Sequence, residues 1–323
     1  MAIISNVRRR KGNRGGSLKL VTSVFTTTTI LALAFAIYPL ITREEVESLS
    51  SVVEQKGQVA ENGWKSVDIF YGERYLRTKG RRSQCKQDDL VAAVLKNVKN
   101  GYFLDLAANE AVNLSNTYLL EKKFDWTGIC VEPNPRYWPD LAHRKCHVAA
   151  AVVAKERMQK VKFRMYNDMP KRGASGGIDE FVDPNIPKSK EPPTELYAVP
   201  AIEILEKYNA PRVMEYLSLD IEGVEYMVMK DFPFDSYKFK IMTVERPSQE
   251  LTDLFYANGY LYLGGNNEIG HETAWIHSDF LKEIDVTGVD TVNWIGGKST
   301  RWVTLNEKDR WAKPTINDKR IKK

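Results

Sequence analysis

The chain of 323 residues is 43% apolar and 28% charged, an ordinary globular make-up of about two domains. That excludes a disordered tail protein, a collagen-like repeat and a disulfide-stapled miniprotein. The net charge of +5 resides at the ends: residues 1–20 hold six basic and no acidic residues, and residues 308–323 seven basic and two acidic. The remainder, with 34 basic and 40 acidic residues, is net acidic, so no nucleic-acid partner is expected, because such a surface is basic over the domain itself.

Arg8, Arg9, Arg10, Lys11, Arg14 and Lys19 form a basic tail over residues 1–19. Leu20–Ile41 follows, 22 residues without a charge. As a helix it spans about 33 Å at ~1.5 Å per residue, enough for a bilayer core. Arg43, Glu44 and Glu45 lie beyond it, against six basic residues before it, so the positive-inside rule keeps the tail cytoplasmic and places the body across the membrane. The expectation is a single-pass signal anchor with a lumenal body in the secretory pathway, in the ER or Golgi. Ala34-Phe35-Ala36 leaves a cleaved leader open, and the acid-free, Arg- and Thr-bearing composition leaves an organelle transit peptide open. Residues 42–82 read as a polar stalk or entry segment, with a helix over Glu44–Gln55.

From residue 83 short apolar runs alternate with helical spacing. Tyr102–Leu106, Gly128–Glu132, His147–Val153, Tyr216–Asp220, Ile241–Glu245 and Tyr260–Leu263 are predicted as buried strands of a mostly parallel sheet. Ser115–Lys123, Arg136–His143, Val224–Lys230 and Ser248–Asn258 are predicted helices. This alternation is the mark of a doubly wound α/β fold. Lys171–Pro193, with three glycines and four prolines, is predicted as a long surface loop. Cys130, within Ile129-Cys130-Val131, reads as a small core residue, although an oxidising lumen permits one bridge among Cys85, Cys130 and Cys146. No Cys-x-x-Cys spacing exists, and no metal site is predicted. Trp294, Trp302 and Trp311 in the tail read as core-covering residues.

Ligands of such sheets sit outside the carboxyl ends of the strands, and four segments fall there. Asp105 ends the first strand, followed by the small-residue turn Ala107-Ala108-Asn109 and a helix opening near Ser115. Small residues allow close backbone approach, and a helix N-terminus offers free N–H donors. Glu132, with Asn134 after it, ends the second strand, where a carboxylate can accept both hydroxyls of a ribose. Asp220, Glu222 and Glu225 close another strand and open the next helix, more acids than capping needs. Glu245 ends a fourth strand beside Arg246, whose plainest role is as its ion-pair partner. His271 and His277 downstream read as surface or structural residues ahead of any role as a base.

These segments, in this order, resemble the FkbM-type family of S-adenosylmethionine-dependent methyltransferases, and in particular its eukaryotic, often membrane-anchored branch. The resemblance rests on Tyr102-Phe-Leu-Asp105, Trp126-Thr-Gly-Ile-Cys-Val-Glu132-Pro-Asn-Pro135, Val199–Leu205, Tyr216-Leu-Ser-Leu-Asp-Ile-Glu-Gly223-Val-Glu225, Phe232-Pro-Phe234 and Val244-Glu245, and covers roughly residues 83–280. It implies a seven-stranded methyltransferase sheet over 83–280, with 281–323 as an extension, and S-adenosylmethionine as cofactor. By that likeness Asp105, Ala107, Ala108, Asn109 and Ser115 hold the methionine part, Glu132 and Asn134 the ribose, and Ser175 flanks the adenine. Asp220, Glu222, Glu225 and Glu245 face the transferred methyl group, with Asp220 or Glu222 as base toward a glycan, lipid or small-molecule hydroxyl. Alanines stand at 107 and 111 where the family carries glycines. A catalytically degenerate binding or trafficking protein is the second reading.

Overall fold

The computed structural model describes residues 65–67, 83–169, 176–182, 185, 187, 189–266 and 272–285. The predicted anchor over Leu20–Ile41, the helix over Glu44–Gln55, Ser175, His271 and the three tail tryptophans lie outside these residues. No described helix is long and apolar enough to cross a membrane.

The described strands are β1 Lys65–Val67, β2 Tyr102–Leu106, β3 Thr127–Val131, β4 His147–Ala150, β5 Val152–Val153, β6 Lys160–Arg164, β7 Gly177–Ile178, β8 Thr194–Val199, β9 Val213–Leu219, β10 Lys238–Glu245, β11 Tyr260–Asn266 and β12 Glu272–His277. Among them lie the helices α1 Gln87–Val94, α2 Tyr118–Phe124, α3 Trp138–Leu141, α4 Ala201–Lys207, α5 Glu225–Met229 and α6 Gln249–Ala257.

The main sheet runs β1-β4-β3-β2-β9-β10-β12-β11. Strands β4 to β10 of that order are parallel neighbours, and β12 enters antiparallel between β10 and β11. The three-residue β1 adds itself antiparallel to β4. Without it the sheet has the seven strands that the resemblance implies, in a mixed α/β fold. The inner strands are buried almost end to end, as a parallel sheet covered on both faces must be. Leu104, Leu106, Ile129 and Val131 pack on one face with Leu205, Val228 and Phe255 of α4, α5 and α6. Phe103, Cys130, Tyr216 and Ile241 pack on the other with Leu90, Leu120 and Leu141 of α1, α2 and α3.

The predicted strand over His147–Val153 breaks at Ala151, whose N–H turns back to the Ala149 carbonyl at 3.0 Å. β4 stays in the main sheet, while β5 joins a second sheet of order β5-β8-β6-β7. Of the predicted surface loop Lys171–Pro193, Gly177–Ile178 instead forms β7 against β6. The helix predicted from Ser115 begins at Tyr118, and Ser115 Oγ accepts from the Thr117 and Tyr118 N–H groups at its start. The predicted Ser248–Asn258 helix is α6, capped by Ser248 Oγ accepting from the Leu251 N–H at 3.2 Å.

Cys130 is a fully buried core residue, and it also uses the one bridge that the sequence left open. It is bridged to Cys146 across a Cα separation of 5.8 Å, which ties β3 to the residue before β4. Cys85, the third cysteine, is buried and lies outside the bridge.

Candidate active site

The strand order reverses between β2 and β9, which pair in parallel with Asp105 opposite Ser218. A ligand crevice belongs at the carboxyl ends of such a pair. A cavity of about 460 Å³ opens there, within the size of small-molecule sites.

One side of the cavity is built by the β2–α2 loop and the end of β3. Asp105 is buried, and its Oδ2 accepts from Thr117 Oγ1 at 2.7 Å. Burial raises its pKa, opposed by Thr117, by the charge of Arg144 and by Ser218. Glu132 is also buried. Its Oε2 accepts from the Asn109 N–H at 2.8 Å and its Oε1 from the Asn134 N–H at 2.7 Å. Each oxygen therefore keeps a further lone pair for a hydroxyl donor. Burial pushes the Glu132 pKa up to about 7, against the pull of the two N–H groups. Asn134 is braced in turn by Asn167 Oδ1, 3.0 Å from its Nδ2. Asn109 Oδ1 and Asn116 Oδ1 are buried acceptors without a hydrogen-bond partner among the described residues, and both residues line the cavity. Such orphaned acceptors fit a ligand that brings its own donors, as an ammonium or amino group does.

The other side is acidic. Oxygens of Asp220, Glu222 and Glu245 lie within 4.8 Å of one another, close enough for one cation to touch all three. Arg246 supplies positive charge there: its Nη2 lies 2.6 Å from Glu245 Oε1 and its Nη1 3.6 Å from Glu222 Oε2. Burial raises Glu245 strongly, and the charges of Asp220 and Glu222 raise it further than Arg246 lowers it. Burial raises Asp220 too, but the hydrogen bond from Glu245 and the charge of Arg246 draw it back. The close Arg246 contact favours a charged Glu245, whereas burial beside Asp220 favours a neutral one. Two carboxyls in hydrogen-bond contact do not both ionise readily, so the pair shares one proton, which the deeper burial of Glu245 beside half-buried Asp220 draws toward Glu245.

Glu225 is placed differently from its neighbours. Its Oε1 accepts from the N–H groups of Ile221 and Gly223, both at 3.1 Å, and it stands outside the cavity wall. It fixes the turn that presents Glu222, in which Glu222 has φ 56° and Gly223 φ 102°. Only glycine takes the second value easily, and a Cβ there would also come 3.3 Å from the Phe181 carbonyl. Burial pushes the Glu225 pKa from 4.5 up to about 7. A carboxyl that holds its proton more tightly folded than unfolded makes stability fall as pH rises between those values. Urea titrations from pH 4.5 to 7 are expected to show that fall, and Glu225→Gln, whose amide carbonyl still accepts from the turn, to reduce it to the part that Glu132 contributes over the same range.

Strained backbone gathers at this cavity. Ala107 (φ 67°), Asn109 (54°), Leu114 (62°), Glu222 (56°) and Arg246 (45°) all line it with left-handed conformations. Strain of this kind persists where the surrounding structure enforces it, and it collects at functional sites. The two alanines thus differ. Ala107 occupies a glycine-like conformation, while Ala111 is buried with an ordinary φ. Ala107→Gly is expected to raise stability by about 0.5–1 kcal/mol and Ala111→Gly to lower it, both read by thermal melting.

Of the residues singled out in the sequence, Asp105, Ala107, Ala108, Asn109, Glu132, Asn134, Asp220, Glu222 and Glu245 meet at the cavity wall. Ser115 does not: its Oγ accepts from Arg144 Nη1 at 3.0 Å and from the Tyr118 N–H at 3.2 Å. His277 is a buried structural group whose Nδ1 accepts from the Asp279 N–H at 3.1 Å. Sequence reasoning missed Asn116 and Tyr137 in the wall, and Arg144 beneath it. Tyr137 had a signal in its place two residues after Pro135; Arg144, within His143-Arg144-Lys145, looks like any cation at a helix end.

No curated protein and no solved structure matches the chain. Residues 105–262 match the family model described as the methyltransferase FkbM domain. That span runs from the acid that ends β2 to β11 and takes in both sides of the cavity. Over residues 105–262 the chain is thus similar to the methyltransferase FkbM domain.

Proposed function

We propose that the chain is an S-adenosylmethionine-dependent O-methyltransferase acting on a hydroxyl of a glycan, lipid or small metabolite. The observation that carries this reading is that Asp105, Glu132 and the trio Asp220, Glu222 and Glu245 open onto one cavity at the strand switch point. Asp105 and the Ala107–Asn109 turn would hold the amino-acid end of the donor, with Asn109 Oδ1 and Asn116 Oδ1 as waiting acceptors. Glu132 would hold the ribose hydroxyls, and Phe163, Ile178 and Tyr137 offer apolar and aromatic surface for the base. When bound, the donor supplies an activated methyl group on a sulfonium.

The chain's own part is position and proton transfer. Holding the acceptor oxygen in line with the methyl carbon supplies most of the gain. Asp220, the ionised member of its pair, takes the hydroxyl proton, while Glu245 keeps its proton and orients Asp220. Arg246 balances Glu222. The acidic side of the cavity, with three carboxyl groups and one arginine, suits a neutral, hydroxyl-bearing acceptor over a phosphorylated or carboxylated one. The degenerate alternative drew on the missing glycines, yet Ala107 adopts the glycine-like conformation all the same.

The same reading places the body in the lumen of the secretory pathway, tethered by Leu20–Ile41. The basic flank of that run supports it, as does the Cys130–Cys146 bridge, a bond at home in oxidising compartments. Isothermal titration of the full chain with S-adenosylmethionine tests the catalytic reading: saturable binding is expected, and none at millimolar donor overturns it.

A further inference from the structure

Arg144 stands just before β4 and is only 1% exposed. Taking a guanidinium out of water is costly unless its N–H groups are paired. Here Nε meets Glu121 Oε2 of α2 at 3.1 Å. Nη1 donates to Ser115 Oγ at 3.0 Å and to the Ala111 carbonyl at 3.3 Å. Nη2 donates to Thr117 Oγ1 at 3.0 Å, and the rings of Phe103 and Tyr118 flank the group at 5.8 and 5.7 Å. Apolar residues fill such a space without the desolvation cost, so the charge has to be explained by what it holds.

What it holds is the β2–α2 loop. Three of its partners, Ala111, Ser115 and Thr117, belong to a stretch from 107 to 117 that contains no glycine. Three of that stretch's residues, Ala107, Asn109 and Leu114, nonetheless carry left-handed backbone and line the cavity. The Thr117 hydroxyl has one hydrogen. It accepts from Arg144 and donates that hydrogen to Asp105 Oδ2, so guanidinium, hydroxyl and carboxylate form one chain of bonds ending at the cavity.

We propose that Arg144 is a positioning residue for the methyl-donor site. It locks the glycine-free loop in its strained form and, through Thr117, fixes the Asp105 carboxylate. The inference rests on the methyl-donor reading given above. It also assigns a role to a residue with no place in the cavity wall and no mark in the sequence. Arg144 does the work that glycines do elsewhere: a loop that cannot adopt its shape cheaply is held in it by bonds from below.

The test uses the full chain with Thr117→Val, Thr117→Ser or Arg144→Lys. Each is titrated with S-adenosylhomocysteine, and amide hydrogen exchange is followed in the unliganded proteins. Thr117→Val and Arg144→Lys are expected to bind about tenfold more weakly than wild type, the loss that one buried, broken hydrogen bond produces. Faster exchange should be confined to residues 107–117, and Thr117→Ser, which keeps the hydroxyl, should bind as wild type does. Wild-type affinity in Thr117→Val overturns the proposal, as does exchange that rises evenly over the sheet, since that assigns Arg144 to stability alone. If Arg144→Lys does not fold, the Thr117 pair decides. Wild-type protein that binds no S-adenosylhomocysteine overturns the methyl-donor reading and Arg144's role with it, whereas binding in wild type and unchanged affinity in both variants overturns the proposal alone.

Discussion

Asp220→Asn is expected to slow methyl transfer by about 10²–10⁴-fold, the usual worth of a positioned base. Affinity for S-adenosylhomocysteine should stay near the wild-type value, because the amide keeps the shape of the carboxylate while losing its ability to take a proton. Glu245→Gln should cost much less. Glu245 already holds a proton in the resting pair, and a glutamine amide can still donate toward Asp220. If Glu245→Gln proves the more damaging of the two, the roles are exchanged and Glu245 is the base. The pH dependence carries the same information. Burial holds Asp220 above the ordinary aspartate value of 3.8, so activity should fall on acidification at a pH above that value. Steady-state rates of the wild type and both variants across pH separate these cases.

Loss of the Cys130–Cys146 bridge is expected to destabilise the fold by about 3 kcal/mol, the loop-closure effect for a loop near 15 residues. The two cysteines are 16 residues apart in sequence. For a domain of this size that corresponds to a fall in melting temperature of roughly 6–12 °C. Both cysteines are buried, so the reduced form is best prepared by unfolding in reductant and refolding, or replaced by a Cys130→Ala, Cys146→Ala double variant. Thiol mapping of protein from its native compartment gives the second measurement. Finding three free thiols there removes the support that the bridge lends to a lumenal body.

Much of the sheet was legible because its inner strands are continuous apolar runs. Phe103-Leu104, Ile129-Cys130-Val131 and Leu217 to Leu219 advertise burial on both faces. β6 was not, since Lys160-Val-Lys-Phe-Arg164 alternates over five residues only and three of them are cations. β12 escaped for another reason. It lies antiparallel between β10 and β11, and nothing local in Glu272–His277 announces a partner that precedes it in the chain. Acids at strand ends were the reliable guide to the cavity, because strand ends are where a parallel sheet opens to solvent. The same rule does not distinguish Glu222 from Glu225. Both sit in one turn, and only its left-handed geometry decides that one faces the cavity while the other turns back on the backbone. Nor does spacing reveal a disulfide: Cys130 looks like any small residue in a strand until Cys146 is brought beside it.

The antiparallel addition of β1 has a consequence for how this body behaves outside its full chain. β1 takes up the backbone bonds along one side of β4, with Lys65, Ser66 and Val67 opposite Ala150, Ala149 and Val148. A chain shortened to begin at residue 83 loses that partner. The outer edge of β4 then presents open N–H and C=O groups beside small, apolar residues, the kind of edge that recruits a strand from another molecule. Such a fragment will tend to self-associate even with every cavity residue in place, and preparations meant to stay monomeric need the segment from residue 65 onward.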